Sequence, residues 1–126
     1  MSTATWEPSP ADFSLNAAQL QELLACLPSA DSMASLEKRF SWLAASAKAP
    51  QQQWQNIAET YQDNELVELI KFYTLAEEEL GWNLKDKSAV IALFKILKKR
   101  TGTDKELVKW VKSHSSNRFL PFGAVL

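Results

Sequence analysis

Apolar side chains recur along most of this chain at intervals of three and four residues, the spacing that gathers them on one face of an α-helix. Leu20, Leu23, Leu24 and Leu27 follow it first, with Ser14 or Asn16 placed to cap the helix and Pro28 to end it. Met33, Leu36, Phe40, Leu43 and Ala47 follow next at spacings of 3, 4, 3 and 4, a seam suited to antiparallel packing. Ser29 or Ser32 can cap this second helix, and Trp42 falls off its seam. Pro50 stops it, because the residue before a proline is pushed out of the α region. The same proline suits the first turn of a third, shorter helix that faces inward through Trp54, Ile57, Ala58 and Tyr61.

Asp63 is the expected cap of a fourth helix, whose stripe runs through Leu66, Leu69, Ile70, Tyr73, Ala76 and Leu80, widened by Phe72 and closed by Gly81. Trp82 is expected to fold back on the last turn near Ala76. The densest apolar run follows at 88–100, where Val90, Ile91, Leu93, Phe94, Ile96 and Leu97 leave only a narrow strip, chiefly Ala92, Lys95 and Lys99, to face water. Such a helix must be covered by its neighbours, so it is expected to form the centre of the fold, beginning at Asp86 or Ser88 and ending at Gly102. Thr103 and Glu106 then match the capping box Thr-x-x-Glu and predict a last helix with Leu107, Val108, Trp110 and Val111 inside and Lys105, Lys109 and Lys112 outside. Residues 113–117 fray it.

The two ends lack this period. Residues 1–13 read as an irregular arm that Trp6 and Phe13 could pin to the body, and 118–126 read as an apolar tail, Arg-Phe-Leu-Pro-Phe-Gly-Ala-Val-Leu. The sequence therefore predicts a single all-α domain, an antiparallel bundle of about six helices over 14–117, large enough at 126 residues to bury a core without staples. Composition agrees: Ala, Leu, Lys, Glu and Gln outnumber β-branched residues, and only three glycines occur.

Cys26 is the only cysteine, which excludes an intramolecular disulfide and a cysteine-based metal cluster and suits a reducing cytoplasm. It lies near an apolar face and reads as a small core residue. The first thirteen residues carry no basic region followed by an apolar one, so no signal peptide is expected. No apolar run approaches the roughly 20 residues needed to span a bilayer, so no membrane contact is expected either.

The net charge of −1 conceals a division. Residues 1–84 carry four Lys and Arg against twelve Asp and Glu (−8), and residues 85–126 carry ten against three (+7). Halves of opposite sign can pack side by side and cancel, or the basic half can serve an anionic partner. Glu77, Glu78 and Glu79 sit where a helix dipole is negative, and Lys85, Lys87 or the Lys98, Lys99, Arg100 cluster are the expected relief. Three consecutive glutamates point in different directions, so no metal site is expected of them.

Catalytic patterns are missing. No Gly-rich phosphate loop, Walker pattern, nucleophile elbow or paired histidine occurs. His114 has serines on both sides, yet sequence neighbours on a helix do not face each other and a triad needs a third, orienting group, so it reads as a polar residue at a helix C-terminus. No enzyme activity and no cofactor are expected.

The expected function is protein–protein interaction, as a small cytoplasmic adaptor or regulatory module. Phe119, Leu120 and Phe122 either cover the protein's own core or, with Val125 and Leu126, offer a partner an apolar surface beside the terminal carboxylate. The alternative is a nucleic-acid-binding protein that uses Lys95, Lys98, Lys99, Arg100, Lys105, Lys109 and Lys112 in a helix, short turn, helix arrangement. Against base readout stand Asp104 and Glu106 at the start of the last helix. A third possibility is a salt-sensitive homodimer, the acidic half of one copy against the basic half of another.

Overall fold

In the computed structural model the described residues are 15–27, 33–82 and 84–122, and they form an all-α bundle with no strand among them. Seven α-helices run in order: α1 (Ala17–Cys26), α2 (Met33–Arg39), α3 (Leu43–Ala47), α4 (Gln51–Ala58), α5 (Asp63–Leu80), α6 (Ala89–Thr101) and α7 (Lys105–His114), with a 3-10 turn at Lys85–Lys87. The arm at 1–13, with Trp6 and Phe13, and the candidate caps Ser14, Ser29 and Ser32 lie outside the described residues, as does Pro28.

Local signals place most boundaries. Asn16 caps α1, its Oδ1 accepting from the backbone N–H of Ala18 (2.8 Å) and Gln19 (3.3 Å). Gly81 ends α5 in the left-handed region at φ 73°, and the Trp82 N–H returns to the Glu77 carbonyl at 3.0 Å. Ser88 starts α6 by accepting from the Val90 N–H at 3.1 Å. Two caps lie one residue from their expected place. Gln62 precedes Asp63 as the cap of α5, because Glu65 reaches back to the Gln62 N–H (2.9 Å) and closes the first turn there. Asp104, rather than Thr103, caps α7, with Oδ1 accepting from the Leu107 N–H (3.1 Å). An ionised carboxylate is the stronger acceptor, and the one-residue shift moves Glu106 out of reach of a box.

The expected second helix, 33–47, is two helices. It breaks at Phe40–Trp42, where Phe40 enters the core and Trp42 packs against it with ring centroids 5.3 Å apart. Turning the chain at this point buries Phe40, Leu43, Ala47 and Ala49 together and leaves Trp42 half-buried. An unbroken helix would carry Trp42 off that seam.

Helices α5 and α6 make the most extensive contact; α4 packs on α6, and α7, α2 and α1 pack on α5. The centre is therefore a pair rather than the 88–100 helix alone. On α6 every residue from Ala89 to Phe94 is buried, Ala92 included, so the water-facing strip is Lys95 with Lys98 and Lys99. Alanine there lets another helix approach closely instead of facing solvent. Deep in the core, Trp54 donates from Nε1 to the Ser46 carbonyl (2.9 Å) and meets Tyr73 edge-on at 5.2 Å. The Tyr73 hydroxyl lies 2.6 Å from Ser46 Oγ, which donates onward to the Leu43 carbonyl at 2.6 Å. These bonds tie α3, α4 and α5 through one serine.

Candidate functional site

The chain beyond α7 is tied to the last turn of α5 and to the 3-10 turn that follows it. Ser116 donates its backbone N–H (2.8 Å) and its hydroxyl (2.9 Å) to Glu78 Oε1, and Asn117 donates from Nδ2 to the Lys85 carbonyl (3.0 Å) while its Oδ1 accepts from the Phe119 N–H (3.0 Å). Leu120 is 2% exposed and belongs to the core, Phe119 is half-buried against it, and the Leu120–Pro121 peptide is cis. Phe122 differs: at 44% it is the exposed large apolar side chain among the described residues, held edge-on to Phe94 with centroids 5.4 Å apart. Val125 and Leu126 lie outside the described residues.

Two of the lysines considered for anion binding gather on that ring. Lys98 of α6 and Lys112 of α7 place their ammonium groups 5.5 and 5.7 Å from the Phe122 centroid, within cation–π range. Lys95, Lys98 and Lys99 also line a groove of about 510 Å³ with Ile96, Gln55 and Glu59. Lys105 and Lys109 are exposed on α7. Arg100 is committed elsewhere: Nη1 donates to the Tyr61 carbonyl (2.6 Å) and to Asp63 Oδ1 (3.2 Å), and Nη2 to the Glu59 carbonyl (3.0 Å). Its guanidinium satisfies carbonyls left over where α4 ends, which takes it out of the basic surface.

A second concavity, of about 500 Å³, opens between the last turn of α5, the 3-10 turn and residues 115–119. Trp82, Leu84 and Phe119 give it apolar walls, and Glu77 and Glu78 reach it from α5. Glu77 is only 4% exposed. Its Oε2 accepts the Ser88 hydroxyl, whereas Oε1 is buried with no hydrogen-bond partner. Desolvation dominates this carboxyl and pushes it up to about 7, against smaller opposing pulls from Ser88 and from the nearby Asn117 amide. Glu78, one residue along and exposed, is shifted the other way by the two bonds from Ser116.

The acidic run is thus relieved by hydroxyl, amide and backbone donors, not by the lysines expected opposite it. Sequence reasoning did not single out Glu77, although its position carried a signal. Leu66, Ile70, Tyr73 and Glu77 stand at spacings of 4, 3 and 4, which puts the glutamate on the buried seam itself.

At the end of α7, Ser113 Oγ and His114 Nδ1 do come within 3.0 Å, contrary to the expectation for helix neighbours. Both reach the Trp110 carbonyl, at 2.8 and 2.7 Å, and the imidazole stacks on the Trp110 ring at 4.0 Å. The pair closes the final helical turn, with a backbone carbonyl where a triad would have its carboxylate. Among the described residues no group of three or more His, Cys, Asp or Glu side chains is placed to hold a metal ion, and no helix is long and apolar enough to cross a membrane.

The chain, an all-α helical bundle, matches no protein-family model, no curated protein and no solved structure.

Proposed function

We propose that this chain is a protein–protein interaction module whose contact surface is the basic, aromatic face centred on Phe122, and that its partner is an acidic segment carrying an apolar side chain. The observation that carries the reading is the convergence of Lys98 and Lys112, from two helices, on the exposed large apolar ring of the described residues. A soluble monomer gains little from holding an aromatic ring at the surface, whereas an aromatic anchor rimmed by like charges suits a complementary partner. Lys95 and Lys99 extend the charge along α6. The surplus of +7 over residues 85–126 supplies steering toward an anionic chain.

An acidic protein fits this face better than nucleic acid does. Arg100 is spent on backbone carbonyls, Glu59 sits in the groove beside Lys95 and Lys98, and Asp104 and Glu106 occupy the start of α7. A cytoplasmic setting accords with the single cysteine.

The test is titration of the full chain with a fluorescent peptide of alternating Glu and Leu, at rising salt, in parallel with a duplex DNA of matched charge. The peptide is expected to bind the more tightly, with affinity falling as salt rises and dropping about tenfold in Phe122→Ala and further in Lys98→Glu with Lys112→Glu. Tighter binding of the duplex, lost in the same lysine variants, would transfer the face to nucleic acid. Binding of neither at low salt would end the proposal.

A further inference from the structure

The Glu77 cleft has no part in the Phe122 face and calls for its own explanation. A carboxyl 4% exposed, with one oxygen bonded to Ser88 and the other short of a hydrogen bond although the Asn117 amide lies nearby, is costly to keep in a core. Buried polar atoms are ordinarily hydrogen-bonded, and even the exposed Glu78 next door has two donors from Ser116 on its Oε1. Here the unsatisfied oxygen belongs to a residue lining a cleft of about 500 Å³, the size of a small-ligand site, walled by Trp82, Leu84 and Phe119. Apolar walls with one convergent, desolvated polar group are the ordinary make-up of such a site.

The chemistry of the occupant follows from the charges. Glu77 and Glu78 are the acidic groups lining the cleft, Lys85 and Arg118 the basic ones, and α6 faces Glu77 with the Ser88 hydroxyl. Both basic residues are exposed and screened by solvent, whereas the Glu77 carboxyl is desolvated, so the field at the floor is set by the carboxyl. An anion would meet two carboxylates there. A cation with N–H donors would satisfy Oε1 and neutralise the buried charge in one contact, and the aromatic walls favour a cation as well. Oε1 is itself buried, and the terminal torsion of a glutamate is soft, so the contact asks for a turn of the carboxyl and not for a shift of the backbone.

We propose that this cleft binds a small organic cation, a primary ammonium on an aromatic or alkyl stem, with the ammonium on Glu77 and the stem against Trp82, Leu84 and Phe119. Binding then requires the ionised carboxylate. With the free carboxyl titrating at about 7, the ligand drives off a proton when it binds at pH 6 and releases little at pH 8.

The experiment is calorimetric titration of the full chain with phenethylamine at pH 6 and pH 8, in pairs of buffers of different ionisation enthalpy, beside 2-phenylethanol and phenylacetate. Expected are binding of the amine alone among the three, proton release at pH 6, and affinity about tenfold higher at pH 8. Glu77→Gln, which keeps a carbonyl for Ser88, is expected to abolish the binding. Phe122→Ala is expected to leave it unchanged, so the cleft and the interaction face stand or fall separately. Phenylacetate binding as well as the amine, an affinity for the amine independent of pH over this range, or no amine binding at pH 8 would each overturn the proposal. The pH series on the unaltered chain decides the matter even where Glu77→Gln fails to fold, and the Trp82 indole N–H resonance must move on binding.

Discussion

Arg100 donates to the backbone carbonyl of Tyr61 at 2.6 Å, across thirty-nine positions of sequence. With its bonds to the Glu59 carbonyl and to Asp63, this guanidinium fastens the end of α6 to the turn between α4 and α5. Its side chain is 30% exposed, and the value of the arrangement lies in the fork of N–H donors more than in the ion pair with a half-exposed Asp63. Arg100→Ala is expected to cost about 2 kcal/mol in denaturant unfolding, and Arg100→Lys to recover less than half of it. Asp63→Asn is expected to cost no more than about 1 kcal/mol.

A buried chain of hydroxyls makes a second, sharper test. Tyr73 donates to Ser46, which donates to Leu43, inside a fully buried cluster. Ser46→Ala leaves the Tyr73 hydroxyl without its acceptor and is expected to cost about 2 kcal/mol, whereas Tyr73→Phe leaves Ser46 bonded to Leu43 and costs about 1 kcal/mol. The double variant is expected to cost less than the two losses added together, as a double-mutant cycle by urea unfolding would read.

Stability should depend on pH through Glu77. Its carboxyl titrates at about 7 in the fold and at an ordinary 4.5 when unfolded, so the native state holds more protons between these values. The stabilisation is complete below about 4.5 and is lost as the pH rises through 7, at a rate approaching 1.4 kcal/mol per unit. Glu78 acts in the opposite sense, and only below its ordinary range, where acid removes the charge that Ser116 holds. Melting curves from pH 5 to 8 are expected to show a falling midpoint in the natural chain and a flatter one in Glu77→Gln, with the variant the more stable at pH 8.

The C-terminal residues divide into anchor and surface. Leu120→Ala is expected to cost about 2–4 kcal/mol, because it empties a core position, while Phe122→Ala leaves unfolding nearly unchanged. Deleting 118–126 would remove both at once, so loss of binding in such a truncation would report unfolding. The paired point variants separate the two by thermal melts.

Helix ends were legible wherever the backbone itself is constrained: Asn16 and Pro50 stand at the starts of α1 and α4, and Gly81 and Gly102 at the ends of α5 and α6, each acting through its own torsions or side chain. The break at Phe40–Trp42 was not legible, because the 3-4 spacing from Met33 to Ala47 continues through it and only tertiary burial of two aromatic rings sets the turn. The centrality of α5 was hidden by its composition. Thr74 and Glu77 dilute its apolar stripe, yet Thr74 bonds the Ile70 carbonyl (2.7 Å) and Glu77 bonds Ser88, so both go inside. Among the basic residues, charge alone could not tell Arg100, bonded to carbonyls, from Lys98 and Lys112, gathered on Phe122.

The two lysines beside Phe122 have an effect on the chain's own company. Bringing two copies together ring to ring would press four ammonium groups into one small area, and their mutual repulsion opposes the contact. On the proposed reading, like charge keeps the exposed ring from clumping with other copies and leaves it to the acidic partner.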